Sequence, residues 1–416
     1  MRNSIITRYK IWIISALIIS IICPLFLRSD LALSLLSQMG IAVIFALSYN
    51  ILLGQCGLLS FGHAVFFGLG AFFTIHALRL INNGQLNIPT PLLPLIGAFV
   101  GLVLGIIVGL VATRRPGATF ALITLGINEL VHSSALMFID FFGSETGISA
   151  KREGWLRFTF GSQIEVYYLI LFWSFLCIIL IFLFNHTPLG KISNAVRDNP
   201  ERTGFIGYNP VKVRALVLMV SGFFAGLAGG LYAINWELVT HENVAILQSA
   251  YVLFMVFTGG AGYFFGPIIG AVIVTFIIFY LSAFTGAWML YLGLFFMIMV
   301  LFAPSGIAGI LMVHQPVCQR KLLRRLIPSY IGTLFPFFMF TLSGICLVEI
   351  IFRWSSTGYT NPIITMYGIK FDATGFLPWI ITFAGLFLGG YFFKKSLSKV
   401  KKSWNLVSIE LESKIA

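Results

Sequence analysis

The sequence has few charged side chains: they make up 10% of its 416 residues, whereas hydrophobic residues make up 58%. A soluble domain of ordinary composition carries roughly 25% charged and roughly 45–50% apolar residues. So few charges cannot cover a water-facing surface of normal size, which excludes a soluble enzyme, and the high apolar content excludes a disordered or fibrous protein. The composition predicts an all-α, polytopic transmembrane helical bundle.

Sequence motifs for several kinds of chemistry are absent. There is no G-x-x-x-x-G-K-[ST] phosphate-binding loop, because Gly190-Lys191 has no upstream glycine at the required spacing and precedes Ile192. There is also no H-x-x-x-H spacing of metal ligands and no nucleophile elbow. We therefore expect no catalytic residues, no metal site and no cofactor bound by this chain. An ATP-driven transporter built in this way needs a separate ATPase.

Cysteine is also scarce. None of the five cysteines has a paired spacing, four lie in or beside apolar runs, and Cys318 lies in a basic loop. This pattern argues against a disulfide framework or a metal site and favours small packing residues.

Apolar runs recur along the whole chain, and a membrane crossing needs about 20 residues. About twelve spans are predicted, although the eighth run is too short to cross the bilayer alone. The runs are Ile11–Leu27, Leu31–Leu53, Leu58–Leu80, Pro91–Val111, Ala118–Phe142, Val166–Phe184, Val211–Trp236, Ile246–Thr258, Gly266–Phe284, Trp288–Ala303, Ile331–Ile351 and Phe376–Phe393. The first follows a basic stretch but no small-residue cleavage site follows it, so it is interpreted as an uncleaved span.

The net charge of +13 comes from short basic clusters between apolar runs, which set topology and do not indicate nucleic-acid binding. Twelve spans place both termini on one side. If that side is the cytoplasm, 20 of the 27 lysines and arginines lie inside, as the positive-inside rule requires. We therefore expect a multi-pass protein of the bacterial cytoplasmic (inner) membrane with both termini in the cytoplasm.

Two glycine-rich segments interrupt the apolar runs, at residues 54–70 and 259–270. Broken membrane helices, one per half, are the best sequence indication of the substrate path of a transporter. The alternative use of the glycines is close helix packing, and His63 is alternatively a hydrogen-bonded packing residue. The residues assigned to the substrate path are Asn50, Ser60, Gly62, His63, Glu129, Thr258, Gly259 and Gly260.

Glu129 is the one carboxylate within a predicted span rather than at its end. A charge inside the membrane costs from about 2.5 kcal/mol upward, so such residues usually face a cavity or a partner. Glu129 is expected to contact a substrate ammonium group, to pair with His132, or to be protonated. The alternative is that it reaches the interface near the cytoplasmic end of its span.

With these residues the chain resembles the permease subunits of the branched-chain amino acid (Liv-type) ABC importers. The resemblance covers roughly residues 31–311 in the family's order. It rests on Asn50–Ala64, Phe67–Ala71, Thr124–Gly126 with Glu129, Arg197–Arg202 with Gly207-Tyr208, Ser221–Ala233, Gly259–Gly262, Gly266-Pro267 and Ala303–Ile307. It implies an ABC-importer permease domain over residues 1–314 and leaves residues 315–416 as a C-terminal extension with two further spans and a basic tail.

The cytoplasmic loop between the sixth and seventh spans carries the ATPase-coupling residues that the resemblance implies. Such permeases have a loop with Glu-Ala-Ala, three residues and then Gly, which docks on the ATPase. Glu201 and Gly207 keep this spacing, whereas Arg202 and Thr203 replace the two alanines. The segment is expected to form a short helix capped by the glycine. The assigned coupling residues are Arg197, Asp198, Glu201, Arg202 and Gly207.

The resemblance implies a translocation subunit of an ATP-driven importer for branched-chain or related small amino acids. Its expected partners are two cytoplasmic ATP-binding subunits that use the ATP, a second homologous permease, identical or not, an extracytoplasmic binding protein and membrane lipids. A permease for urea or another small amide stays open, as does an ion-driven secondary transporter. A membrane-embedded enzyme would need a polar catalytic cluster, and the sequence has none.

The C-terminal extension has no counterpart in the resemblance. Its basic clusters, Arg320–Arg325 and Lys394–Lys402, are expected to favour anionic lipid headgroups. After Trp404 the scattered apolar residues are expected to form a short helix in the interface, so that the module is peripheral to the path.

Overall fold

The computed structural model describes residues 18–24, 26–27, 29–154, 160–320, 322–357, 363–366, 369–372 and 375–413. These residues are mostly helical, which confirms the predicted all-α class. Residues 18–24 are helical. The other helices are α1 (Asp30–Asn50), α2 (His63–Asn82), α3 (Pro94–Ala112), α4 (Ala118–Met137), α5 (Ile139–Phe142), α6 (Gln163–His186), α7 (Pro188–Asp198), α8 (Pro200–Phe205), α9 (Pro210–Trp236), α10 (Ile246–Gly259), α11 (Gly266–Phe284), α12 (Trp288–Phe302), α13 (Gly306–Gln319), α14 (Leu323–Thr357) and α15 (Phe376–Ser413).

Four short strands form two antiparallel pairs in the described chain. β1 (Ile148–Ser149) pairs with β2 (Leu238–Val239), and β3 (Ile363–Met366) pairs with β4 (Ile369–Asp372). In the first pair Ile148 lies opposite Val239. Next to it, Arg152 forms an ion pair with Glu237, with Nε 3.0 Å from Oε1.

Nine helices of the described chain are long and apolar enough to cross a membrane, or ten if α12 and α13, which meet at a bend of 43°, count as one span. Helix α10 has only 14 residues, as its short apolar run predicted. Of the predicted first span, Ile11–Leu27, residues 11–17 and 25 lie outside the described residues. A count of twelve therefore stays a prediction.

The described residues divide into two compact units, the first comprising those up to Tyr280 together with Phe295–Gly309. Helix α9 lies at its centre and packs against α1, α2 and α3. Glycines allow the close approach to α3: a Cβ on Gly97 would overlap the Gly226 carbonyl oxygen, and one on Gly101 would overlap that of Gly222. The spacing of these glycines by four residues is the small-residue pattern of membrane helix pairs.

The second unit comprises Leu281–Leu294 and the described residues from Ile310 onward. Its main feature is the antiparallel pair of long helices α14 and α15. The predicted boundary between the permease domain and the extension, after residue 314, is a functional assignment and stays a prediction.

The C-terminal tail differs from the expectation of a separate short helix. Helix α15 has 38 residues and continues to Ser413; at 1.5 Å per residue it is about 57 Å long, against about 30 Å for the hydrocarbon core. The tail residue Val407 is 1% exposed and packs with Val317, Leu322 and Leu326. Burial of this apolar side against the linker keeps the tail in the same helix.

Candidate functional site

The two glycine-rich breaks predicted from the sequence lie against each other. Helix α1 continues into a π-helical turn, Ile51–Gln55, a distortion that often occurs at functional sites. A Cβ on Gly54 would lie 2.5 Å from the Ala261 carbonyl oxygen and would overlap Asn50 Oδ1. Gly54 therefore lets the end of the first membrane helix touch the loop that follows α10.

The second break is a cluster of glycines around the C-terminal end of α10. Gly260 has φ +108° and Gly306 has φ +67°, both in the region that favours glycine. A Cβ on Gly259 would overlap the Gly266 carbonyl oxygen, and one on Gly260 would overlap that of Ser305. The C-terminal end of α10 and the starts of α11 and α13 therefore meet backbone to backbone.

Two polar groups assigned to the path are buried beside these breaks. Asn50 is 3% exposed and Thr258 is fully buried. Neither Asn50 Oδ1 nor Thr258 Oγ1 has a hydrogen-bond partner among the described residues. Buried polar atoms normally find partners, so these two acceptors have free hydrogen-bonding capacity in an otherwise apolar region.

His63 begins α2 and is fully buried. Its ring stacks on Phe45 with centroids 5.3 Å apart, and Tyr49 and Phe66 meet it edge-on. Its Nε2 lies 2.9 Å from Ser48 Oγ, which itself donates to the Phe45 carbonyl oxygen at 2.7 Å. With Oγ donating there, the contact with Ser48 is a hydrogen bond in the tautomer that protonates Nε2, and Nδ1 has no hydrogen-bond partner among the described residues. These contacts fit the packing alternative given for His63.

Ser60 and Gly62 hold the turn between α1 and α2 in place. Ser60 is fully buried; its Oγ accepts from Gly62 N at 3.3 Å and its carbonyl oxygen from Tyr49 OH at 2.9 Å. A Cβ on Gly62 would overlap the Thr124 carbonyl oxygen of α4. In addition, Ser249 Oγ of α10 accepts from Ala64 N at 2.8 Å. The turn is thus fixed to both α4 and α10.

Glu129 is not brought to this region, because its side chain is exposed on α4. The ion pairs of the described chain join other residues, so the suggested pair with His132 does not form. The adjacent Asn128 is buried on α4, as is Thr124, and its Nδ2 donates to the Val244 carbonyl oxygen at 3.2 Å. Sequence reasoning missed Asn128 since an apolar helix gives only a weak indication of which face is buried.

The predicted coupling segment forms two short helices, α7 and α8. Asn199 Oδ1 accepts from Arg202 N at 2.9 Å and caps α8, whose first turn contains the exposed Glu201. At the other end Gly207 has φ +96°. Gly207 N donates to Gly204 O and Tyr208 N to Thr203 O, the bond pair of a Schellman cap. The segment has the predicted geometry of a short helix closed by a glycine.

The C-terminal end of α8 carries an exposed apolar tip that the sequence reasoning missed. Phe205 is 91% exposed, Ile206 70% and Tyr208 46%. Three such side chains in an otherwise polar loop form a surface suited to a protein partner. Their position directly before and after the glycine cap is the sequence signal that would have identified them.

Arg197 connects the coupling segment with the first glycine-rich break. Its Nη1 donates to the Gly54 carbonyl oxygen, and its aliphatic stem lies beside Gly57, where φ is +69°. The same guanidinium forms an ion pair with Asp198, with Nη2 3.0 Å from Oδ1. Of the five coupling residues, Arg197 therefore contacts the break directly, whereas the exposed Glu201 and Arg202 lie on the loop's outer surface.

Comparisons with known proteins agree with the resemblance. The family described as "Branched-chain amino acid transport system / permease component" matches residues 31–304. The high-affinity branched-chain amino acid transport system permease protein LivM of Salmonella typhimurium is 27% identical over 324 residues, covering 72% of this chain and 75% of LivM. The galactose/methyl galactoside import permease protein MglC of Haemophilus influenzae is 26% identical, covering 61% of this chain and 79% of MglC.

The ribose import permease protein RbsC of Haemophilus influenzae is 25% identical, covering 64% of this chain and 81% of RbsC. No solved structure matches the chain. The family match covers well over half of the sequence, and the relatives are import permeases. The chain therefore belongs to the family of branched-chain amino acid transport system permease components, and it is a non-catalytic, multi-pass inner-membrane subunit of an ABC transporter.

Proposed function

We propose that the chain is the translocation subunit of an ATP-driven importer for branched-chain or related small amino acids. The support for this substrate class is the family match together with the LivM relatives, which cover more of the chain than the sugar permeases do. A permease for urea or another small amide is the alternative within the same fold. An ion-driven transporter would need buried ionisable residues for coupling, and the exposed position of Glu129 argues against it.

The proposed substrate path runs along the contact between the two glycine-rich breaks. Irregular backbone at membrane depth is tolerated where it lines a cavity or is buried in protein. Asn50 Oδ1 and Thr258 Oγ1 are suited to accept from a substrate ammonium group because both are buried acceptors with free capacity. Ser60, Gly62, His63, Gly259 and Gly260 shape the walls rather than bind. Because Glu129 is exposed, we expect it to contact a second homologous permease subunit rather than to line the path.

Energy coupling is proposed to pass through the α7–α8 segment. We expect the tip formed by Phe205, Ile206 and Tyr208 to enter a groove of a cytoplasmic ATP-binding subunit, of which the complex has two. The observation that carries this proposal is the hydrogen bond from Arg197 Nη1 to the Gly54 carbonyl oxygen. It offers a direct mechanical link from the docked segment to the first break. ATP binding and hydrolysis in the partner then bias two states of the path.

In the proposed orientation both termini lie in the cytoplasm and the β1–β2 side is expected to face an extracytoplasmic binding protein. The count of basic residues supports that orientation, since 20 of 27 then lie inside.

The substrate class is tested by uptake into cells that express the chain with its ATPase and binding-protein partners. Labelled leucine is offered with a 100-fold excess of unlabelled valine, isoleucine, galactose, ribose or urea. We expect competition by valine and isoleucine alone. Competition by urea or by a sugar, with none by valine, would contradict the proposed substrate.

A further inference from the structure

A groove of about 480 Å³ lies between α14 and α15 of the second unit. Five residues of α14 and four of α15 line it. Its volume lies in the range of roughly 300–1,000 Å³ that is usual for ligand pockets. Nothing in the permease function accounts for this groove.

The sequence creates the groove by changing how the two helices pack. Toward one end α14 and α15 touch closely: Gly389 lies against the backbone of Phe340, and a Cβ there would come 2.8 Å from Phe340 N. One turn before Phe340, Pro336 lies inside α14, and Gly332 lies one turn before Pro336. A Cβ on Gly332 would meet no atom within 4 Å. The two helices therefore touch at Gly389, separate beside Gly332 and pack together again where Val407 meets Leu326.

A hydrogen bond crosses this open stretch. Pro336 has no N–H, so it cannot bond the Gly332 carbonyl oxygen four residues earlier as an ordinary helical residue would. Ser396 Oγ of α15 donates to that oxygen instead, at 3.1 Å. Because the freed carbonyl is satisfied from the opposite wall, the groove belongs to the fold of the hairpin.

The two ends of the groove differ in chemistry. Phe335, 76% exposed, and Phe392, 49% exposed, contribute an apolar surface. Lys395 and Lys399 lie one turn apart on α15 and contribute two exposed cations. The apolar run of α15 ends at Phe393, directly before the first lysine. The groove thus crosses the level at which the hydrocarbon core meets the headgroups.

The surrounding charge has one sign. Between residues 394 and 409, α15 carries five lysines and no acidic residue. Glu410, farther along, pairs with Arg325 of α14. Each basic residue near the headgroup level contributes about 1 kcal/mol to the binding free energy of anionic lipid.

We propose that the groove binds one anionic glycerophospholipid of the adjoining leaflet, with an acyl chain along Phe335 and Phe392 and the phosphate against Lys395 and Lys399. A second copy of this chain is a poorer occupant because a symmetric contact would bring the same lysines together. The proposal does not depend on the transported substrate or on the ATPase, so binding is measured without transport.

The charged end is tested with the full-length chain in detergent, titrated with phosphatidylglycerol or phosphatidylcholine and examined by native mass spectrometry. Lys395→Gln with Lys399→Gln removes the two groove cations, whereas Lys394→Gln with Lys401→Gln removes two neighbouring cations that do not line it. We expect the groove pair to weaken phosphatidylglycerol binding roughly thirty-fold, about 2 kcal/mol, if each lysine contributes fully. The control pair should lower binding by less than threefold.

The apolar end is tested by filling the groove. Gly332→Leu starts its side chain in open space, since a Cβ there meets nothing within 4 Å, and Gly293→Leu is a matched control because the same holds at Gly293. We expect Gly332→Leu to lower the affinity for phosphatidylglycerol at least tenfold. The melting temperatures of this variant and of the control should stay unchanged.

Four results would overturn the proposal. The first is an equal loss of phosphatidylglycerol affinity in the two lysine double variants, and the second is phosphatidylcholine binding as tight as phosphatidylglycerol binding. The third is unchanged phosphatidylglycerol affinity in Gly332→Leu. The fourth is a dimer of the chain that forms without lipid and disappears in Gly332→Leu.

Discussion

Replacing Arg197 with alanine tests the link between the coupling segment and the path. A hydrogen bond that involves a charged group contributes about 1.5–3 kcal/mol to stability. The Arg197 side chain is 40% exposed, so solvent screening favours the lower end, about 1.5 kcal/mol. If that energy holds the first break against the docked loop, its loss lowers the substrate stimulation of ATP hydrolysis about tenfold.

The assay uses the complete transporter in nanodiscs and measures ATP hydrolysis with and without substrate-loaded binding protein. We expect Arg197→Ala to keep basal hydrolysis and to lose most of the stimulation, about tenfold. Arg197→Lys should restore part of it, because lysine keeps the charge but presents a smaller donor group. Lys212→Ala, which removes an exposed cation from the same cytoplasmic region, is the matched control and should behave as the wild type. Normal stimulation in Arg197→Ala would refute the reasoning.

Three further predictions follow from the geometry of the breaks and the loop. Gly259→Ala forces a methyl group into a backbone carbonyl oxygen and should destabilise the protein by about 3 kcal/mol, seen as a lower melting temperature, whereas Gly262→Ala, with open space around it, should not. Phe205→Ala with Ile206→Ala should release the ATPase in co-purification while membrane insertion is kept; unchanged co-purification would exclude the tip as the docking surface. Thr258→Cys, in a background without the native cysteines, should react with small hydrophilic thiol reagents and be protected by leucine, and no reaction in any nucleotide state would exclude it from the path.

The membrane helices were largely predictable because hydropathy is a local property. Helix α9, found at Pro210–Trp236, was predicted at Val211–Trp236. Helix α14 was predicted fourteen residues too short, at Ile331–Ile351 against Leu323–Thr357. Its first turns carry Arg324 and Arg325, and charges end a hydropathy run without ending a helix. The same cause hid the continuity of α15 through its lysines.

The contacts between distant segments could not be predicted in this way. The Arg197 bond to Gly54 joins residues 143 positions apart, and the contact of Gly54 with Ala261 spans even more of the chain. Both depend on how α1, α7 and α10 pack, which periodicity does not specify. Glycine content indicated that the two breaks matter but not that they touch. The burial of Asn128 rather than Glu129 likewise depends on the rotation of α4.

The central claim, ATP-driven import through this chain, is tested most directly by leucine uptake into proteoliposomes that contain the chain with its partner subunits. ATP is supplied on the side of α7 and α8, binding protein on the other, and ion gradients are collapsed with ionophores. The account predicts that labelled leucine accumulates with ATP and not with a non-hydrolysable analogue, at an unchanged rate when the gradients are collapsed. Accumulation that persists without ATP and stops with the ionophores would contradict it.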